Sequence, residues 1–213
     1  MTSPLVQLYL DRSEASPLDV TLKAKTPSYI LQQFVDRAPQ TRVLSFEMMS
    51  WSRWKAISDR FSVSPLPVLL DLRILAATKP GPATPDSAPF PPAINLRHLS
   101  VRISGSSALI WSHIAFPGLT GIRISFGSRQ NPLAMPDRSV TTLGKLLDVL
   151  RSSPLLEDIH LVFGALVPED GISHHPVLLL RLQKLFLSCN LTPVHLLTSI
   201  TFPTACLDTN IPG

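Results

Sequence analysis

The side chains with the greatest chemical reach lie scattered along the chain. His174 and His175 stand near Glu169 and Asp170, a mixture of imidazoles and carboxylates of the type that ligates divalent cations. The spacing of a helical metal site, such as H-E-x-x-H, is absent, so a solvated loop is the expectation here and no metal is assigned. Cys189 and Cys206 form no C-x-x-C pair and suit small buried hydrophobes. Gly105-Ser106-Ser107 lacks the context of a nucleophile elbow, and neither a phosphate loop nor a dinucleotide fingerprint occurs. No catalytic residue and no cofactor are expected, and the chain is not read as an enzyme; a hydrolase is the remote alternative. What remains is chemistry of contact. Asp71, Arg73, His98, Arg102, Arg123, Asp158, His160, Lys184 and Phe186 combine both charges, two imidazoles that can titrate near neutral pH, and an aromatic anchor. Together they could recognise another protein, provided that some scaffold turns them to one side.

That scaffold is written in the leucines, 35 of the 213 residues. Five segments carry apolar residues in the register L-x-x-L-x-L: Leu69/Leu72/Ile74, Leu96/Leu99/Val101, Leu119/Ile122/Ile124, Leu156/Ile159/Leu161 and Leu182/Leu185/Leu187. Weaker copies stand at Val20/Leu22 and Leu44/Phe46. The strong copies start 27, 23, 37 and 26 residues apart, and three of these gaps fall in the range of leucine-rich repeats. Alternate residues of a strand point to opposite sides, so the last two apolar positions face a core while their neighbours face outward. One such unit cannot bury its own apolar face, but stacked units can. The expected fold is therefore a single α/β domain over 1–213, an irregular leucine-rich-repeat solenoid. About seven short parallel strands line one face, with helices or loops on the other. The nine contact residues named above lie at the outward positions or, for Arg102, just beyond them.

Several segments between the strands show helical spacing. Pro27–Ala38 carries Ile30, Leu31, Phe34 and Val35, with Thr26 as N-cap and Pro27 in first position. Ser50–Phe61 aligns Trp51, Trp54, Ile57 and Phe61. Thr141–Ser152 aligns Leu143, Leu146, Leu147 and Leu150, and Thr192-Pro193 opens a short helix with Val194, Leu197 and Ile200. Residues 76–92 hold six prolines and no helical period, which predicts a surface loop. A second insertion, 127–139, accounts for the 37-residue gap, and 167–176 forms a third loop. Asn190 occupies the asparagine position of a full repeat, whereas the other copies place Ala77, Ser104, Gly127 and Gly164 there.

Composition narrows the function classes. A 45% hydrophobic chain with 16% charged residues is not a disordered tail despite 21 prolines. The net charge of +4 is spread rather than bunched, so nucleic-acid binding is not indicated. The start of the chain has no basic region ahead of its apolar run, unlike a secretory signal. The uncharged stretch between Arg102 and Arg123 is interrupted by Ser104, Gly105, Ser106, Ser107 and Pro117, so no membrane span is expected. Two unpaired cysteines suit an intracellular, reducing compartment, cytoplasmic or nuclear.

Certain phrases carry a resemblance. Ser153-Pro-Leu-Leu-Glu-Asp-Ile-His-Leu161, Leu182-Gln-Lys-Leu-Phe-Leu-Ser188 and Phe202-Pro-Thr-Ala-Cys-Leu-Asp208 are three of them. With Ile94-Asn-Leu-Arg-His-Leu-Ser100, Phe116-Pro-Gly-Leu-Thr120 and Ser16-Pro-Leu-Asp-Val-Thr-Leu22, they resemble the leucine-rich-repeat region of F-box-type proteins of mushroom-forming fungi. The resemblance implies the substrate-recognition part of a cullin-RING ubiquitin ligase, binding an unknown protein substrate. In that family a helical F-box ahead of the repeats grips a Skp-type adaptor. No such helical trio precedes Leu18, so adaptor binding is carried over to no residue and applies only if an F-box lies upstream. Fewer repeats follow Leu207 than the family leads one to expect. A truncated gene fragment, or a stand-alone repeat protein without a ubiquitin role, is the alternative. Without polar end caps, the isolated chain is expected to be poorly soluble.

Overall fold

A computed structural model describes residues 8, 11–14, 16–49, 66–76, 93–103, 116–126, 140–163, 165–167, 175–189 and 194–203. In chain order these form β1 (Leu18–Lys23), α1 (Ser28–Asp36), β2 (Thr41–Met49), β3 (Asp71–Ala76), β4 (His98–Ile103), β5 (Gly121–Phe126) and β6 (Val140–Thr142). Then come α2 (Leu143–Arg151), β7 (Asp158–Phe163), β8 (Ala165–Val167), β9 (Val177–Leu178), β10 (Lys184–Cys189), α3 (Val194–Thr198) and β11 (Ile200–Thr201). The fold is α/β. Seven strands make one parallel sheet in the order β1-β2-β3-β4-β5-β7-β10, and the sheet does not close into a barrel. Strand order follows chain order, so each unit pairs with the units before and after it.

The register explains why this sequence makes this sheet. Leu44, Leu72, Leu99, Ile122, Ile159 and Leu185 pair position for position across six strands, and Phe46, Ile74, Val101, Ile124 and Leu161 form a second row two residues on. All eleven are buried. Branched side chains stacked this way fill a pleated surface, and each one fully removed from water contributes on the order of 1.5–3 kcal/mol. Leu31 and Phe34 of α1 join the same core, as do Leu143, Leu146, Leu147, Val149 and Leu150 of α2. The first strand and the last are less well covered: Val20 and Leu187 are half-buried.

A tight turn opens each unit. The amides of Leu69, Leu96, Leu119, Leu156 and Leu182 donate to the carbonyls of Leu66, Ala93, Phe116, Ser153 and Leu179, at 3.0–3.3 Å. Thr41 closes onto Ala38 in the same way. The opening residue of each of these turns is buried. Pro39, Pro67, Pro117 and Pro154 occupy the second turn position, where a fixed φ is an advantage. The unit is therefore three residues longer at its start than the L-x-x-L-x-L register.

Neighbouring turns are stitched by backbone and side chain. The Leu70 carbonyl accepts from both Arg97 and His98, that of Arg97 from Thr120 and Gly121, and that of Thr120 from Glu157 and Asp158. The Glu157 carbonyl continues the series with Gln183 and Lys184, all at 2.8–3.1 Å. Asn95 Nδ2 donates to the Pro67 carbonyl at 2.6 Å, and the buried Ser153 hydroxyl donates to the Phe116 carbonyl at 3.2 Å.

Some sequence expectations need correction. Thr26 is not an N-cap: its Oγ1 accepts from the Lys23 amide at the end of β1, and Pro27 holds the cap position of α1 without a side-chain bond. Thr141 and Thr142 lie in β6, which pairs with β8, so α2 starts at Leu143. At the expected loop 167–176, Val167 belongs to β8. The helix expected at Ser50–Phe61, the Pro-rich residues 77–92, the insertion 127–139, and His174, Asn190 and Cys206 lie outside the described residues.

Candidate functional site

The outward residues of the sheet fall into rows that cross the strands. One row runs Asp71, His98, Gly121, Asp158, Lys184; the next runs Arg73, Ser100, Arg123, His160, Phe186. These rows exist because the inner residues are held in register, and a slip of one position would exchange the two faces. Eight of the nine sequence-selected residues stand in these two rows. Arg102 stands in a third row on β4, between Leu75 of β3 and Ser125 of β5.

The middle of the face is hollow. A depression of about 580 Å³ opens over β3, β4, β5 and β7. Asp71, Arg73, His98, Arg123 and Asp158 line it, together with Ser100, Gly121, Thr120 and Glu157. Its cause is composition: the grid positions at Ser100 and Gly121 carry little or no side chain. The His98 ring leans across Gly121, so close that a Cβ there would lie 2.9 Å from His98 Cδ2.

Ion pairs form its walls. Arg73 Nε and Nη2 bind the Asp71 carboxylate within β3, the Nε contacts being 3.1 and 3.2 Å. Arg123 Nη2 donates to Asp158 Oδ2 at 3.1 Å, joining β5 to β7. Outside the depression, Arg42 and Asp19 bridge β1 and β2 through two bonds of 3.0 and 2.8 Å. Hydrogen bonding to Arg42 lowers the Asp19 carboxyl below its ordinary pKa.

Beside the depression, His160 and Phe186 stack with ring centroids 4.3 Å apart and planes within 12°. Phe186 is therefore not the free-standing exposed anchor that its outward position implied. It is half-buried, because β7 and β10 pair His160 directly with Phe186 and an imidazole face covers one side of the ring. Burial lowers the His160 pKa below 6.5, and the positive charge of Arg123 pushes the same way, while Asp158 opposes it.

The structure thus brings Asp71, Arg73, His98, Arg123 and Asp158 together around one hollow, with the His160–Phe186 stack adjoining. Lys184 lies next to Asp158 in its row without lining the hollow, and Arg102 stands apart from it. Sequence reasoning missed Thr120 and Glu157, which sit one residue before their strands. The signal was available in the turn: these residues carry the carbonyls on which the next unit hangs, so their side chains border the face.

Among the described residues, no cluster of three or more His, Cys, Asp or Glu side chains is placed to hold a metal ion. No described helix is long and apolar enough to cross a membrane. Comparison with protein-family models, with curated proteins and with solved structures returned no match.

Proposed function

We propose that this chain is an irregular leucine-rich-repeat solenoid whose open sheet face binds a protein partner. We further assign it the role of a substrate-recognition repeat region of an F-box-type ubiquitin-ligase receptor. One observation carries the binding role: in-register outward rows surround a depression of about 580 Å³ while the alternate positions are buried. Repeat geometry of this kind creates extended recognition surfaces, in which many modest contacts add up. The phrases quoted above support the ubiquitin role. A Skp-type adaptor would require an F-box elsewhere in the protein and is assigned to no described residue.

The test is a triple substitution, Arg73→Ala with Arg123→Ala and Phe186→Ala, compared with the wild-type chain in quantitative affinity capture. The variant should keep its melting profile and lose the captured partner, and that partner should accumulate in cells when the wild-type protein is depleted. Equal capture by both proteins would remove the open face from the mechanism. A partner whose abundance ignores depletion would remove the ubiquitin role alone.

A further inference from the structure

We infer that the edge at which the strands begin carries a second docking site, for an extended segment of a partner protein. That segment sets an aliphatic side chain on Val68 and Leu70 and, two residues away, a carboxylate on Arg97. None of the residues that form this site lines the depression of the open face, so the inference stands apart from the binding role proposed above.

The apolar part comes from the opening turns. A groove of about 320 Å³ runs along the entries to β1, β2, β3 and β4, and Pro17, Pro67, Val68 and Leu70 supply its apolar lining. In the turns ahead of β3 and β4 the first and fourth residues are buried, so the second, third and fifth project from the edge. These are Pro67, Val68 and Leu70 in one turn, and Ile94, Asn95 and Arg97 in the next. Val68 and Leu70 are each 40% exposed and Ile94 is 78% exposed. A single exposed aliphatic residue is ordinary, but three on adjacent turns make a patch of the kind that marks a contact surface.

The charge of the occupant follows from the two arginines that border the groove, which has no carboxylate in its lining. Arg42 is already matched, since Asp19 accepts from its Nε and Nη2. Arg97 is not: its Nη1 donates to the Gly118 carbonyl at 3.0 Å, and among the described residues it forms no ion pair. The carbonyl bond holds the guanidinium in place without neutralising it, so a positive charge stands beside apolar surface, where a carboxylate is the complementary group. Gly118 belongs to the turn ahead of β5, so this charge lies at the β5 end of the groove, past Leu70. Leu70 and Arg97 hold the same position in adjacent turns, about 5 Å apart, and the long Arg97 side chain reaches one turn further. The carboxylate therefore sits about 5–10 Å beyond the aliphatic contact. An extended segment crossing the turns presents residues i and i+2 on one side, about 7 Å apart, which matches that span.

The experiment measures binding of dodecapeptides to the intact chain by fluorescence anisotropy. The test peptides carry a central Leu-x-Asp, and the controls carry Leu-x-Asn, Ala-x-Asp or Leu-x-Lys. Leu-x-Asp should bind selectively, with each control weaker by about tenfold or more. Arg97→Gln should raise Kd for Leu-x-Asp about tenfold and leave Leu-x-Asn unchanged, because both changes remove the same contact. Val68→Ser with Leu70→Ser should erase the preference for Leu over Ala while keeping the wild-type melt, both positions being exposed. Arg73→Gln with Arg123→Gln, on the open face, should leave Kd unchanged at matched salt. Equal weakening of the Asp and Asn peptides by Arg97→Gln would overturn the carboxylate contact, and this arm decides even where the serine variant folds poorly. An unchanged Kd in the serine variant would overturn the aliphatic contact. Loss of binding only in the Arg73/Arg123 variant would move the peptide to the open face and overturn the inference. A concentration-dependent dimer dispersed by the serine variant would make a second copy the occupant and overturn it equally, as would binding by none of the peptides.

Discussion

Replacing Leu99 by Ala tests the alternation on which the site depends. Leu99 is 1% exposed in the middle of β4, with Leu72 and Ile122 beside it in the inner row, both fully buried. Strands pair with β4 on both sides, so the backbone cannot settle into the space the substitution leaves. Leu-to-Ala changes in such sites cost 2–5 kcal/mol, and restricted relaxation places this one at about 3–4 kcal/mol. With a urea slope of about 2–3 kcal/mol per molar, the midpoint should fall by roughly 1–2 M without a change of slope. Ser100 is one residue further on and faces outward, so Ser100→Ala should move stability by no more than about 0.5 kcal/mol. Paired urea titrations of the two variants decide the matter. Equal destabilisation at 99 and 100, or a larger cost at 100, would refute the assignment of faces and with it the depression.

Three other outcomes follow from local chemistry. Thr41 fills a slot that later units give to leucine, and its buried hydroxyl has no partner among the described residues; Thr41→Val should raise stability by about 1 kcal/mol in the same titration. His160 is held neutral, so the unfolded chain binds the extra proton: its contribution is complete above about pH 6.5 and is lost as pH falls below that value toward the lowered folded pKa. A His160→Gln variant should show a flatter decline of melting temperature between pH 7 and pH 5, and wild-type NMR titration should place this imidazole below 6.5. Gly121→Ala pushes a methyl group into the exposed His98 ring rather than into backbone, so stability should change by less than about 1 kcal/mol. The His98 ring resonances should nevertheless shift clearly; a large loss of stability with unmoved His98 signals would refute the described packing.

The strands could be read from the chain because their physics is local. A period of two with branched apolar residues at the inner positions marks Leu72/Ile74 or Ile122/Ile124 without knowledge of any neighbour, and the sheet keeps these strands in chain order. The opening turns were harder to see, since their anchors vary from Leu66 to Ala93, Phe116 and Ser153, sharing burial rather than residue type. The recurring proline after the anchor was the signal passed over. Within the site, Asp71 and Arg73 share a strand and a face, so their pairing could be foreseen. Arg123 and Asp158 lie 35 residues apart and meet only because β7 skips β6 to join β5. The His160–Phe186 stack likewise requires two units to align without a residue of slippage. The hollow itself comes from what Ser100 and Gly121 lack, and such an absence marks a shape only once its neighbours are placed.

The jump from β5 to β7 has a consequence for how such a molecule can change. The strong copies on either side of that jump start 37 residues apart, against 23 to 27 for the others, yet Gly121 pairs with Asp158 and Ile124 with Leu161 as though nothing had intervened. The sheet registers its strands and ignores the length of chain between them. The connecting stretches can therefore change in length while every outward row keeps its neighbours. Point changes at outward positions are similarly uncoupled from the buried rows. Heredity can thus rewrite the text displayed on the face without resetting the page that carries it.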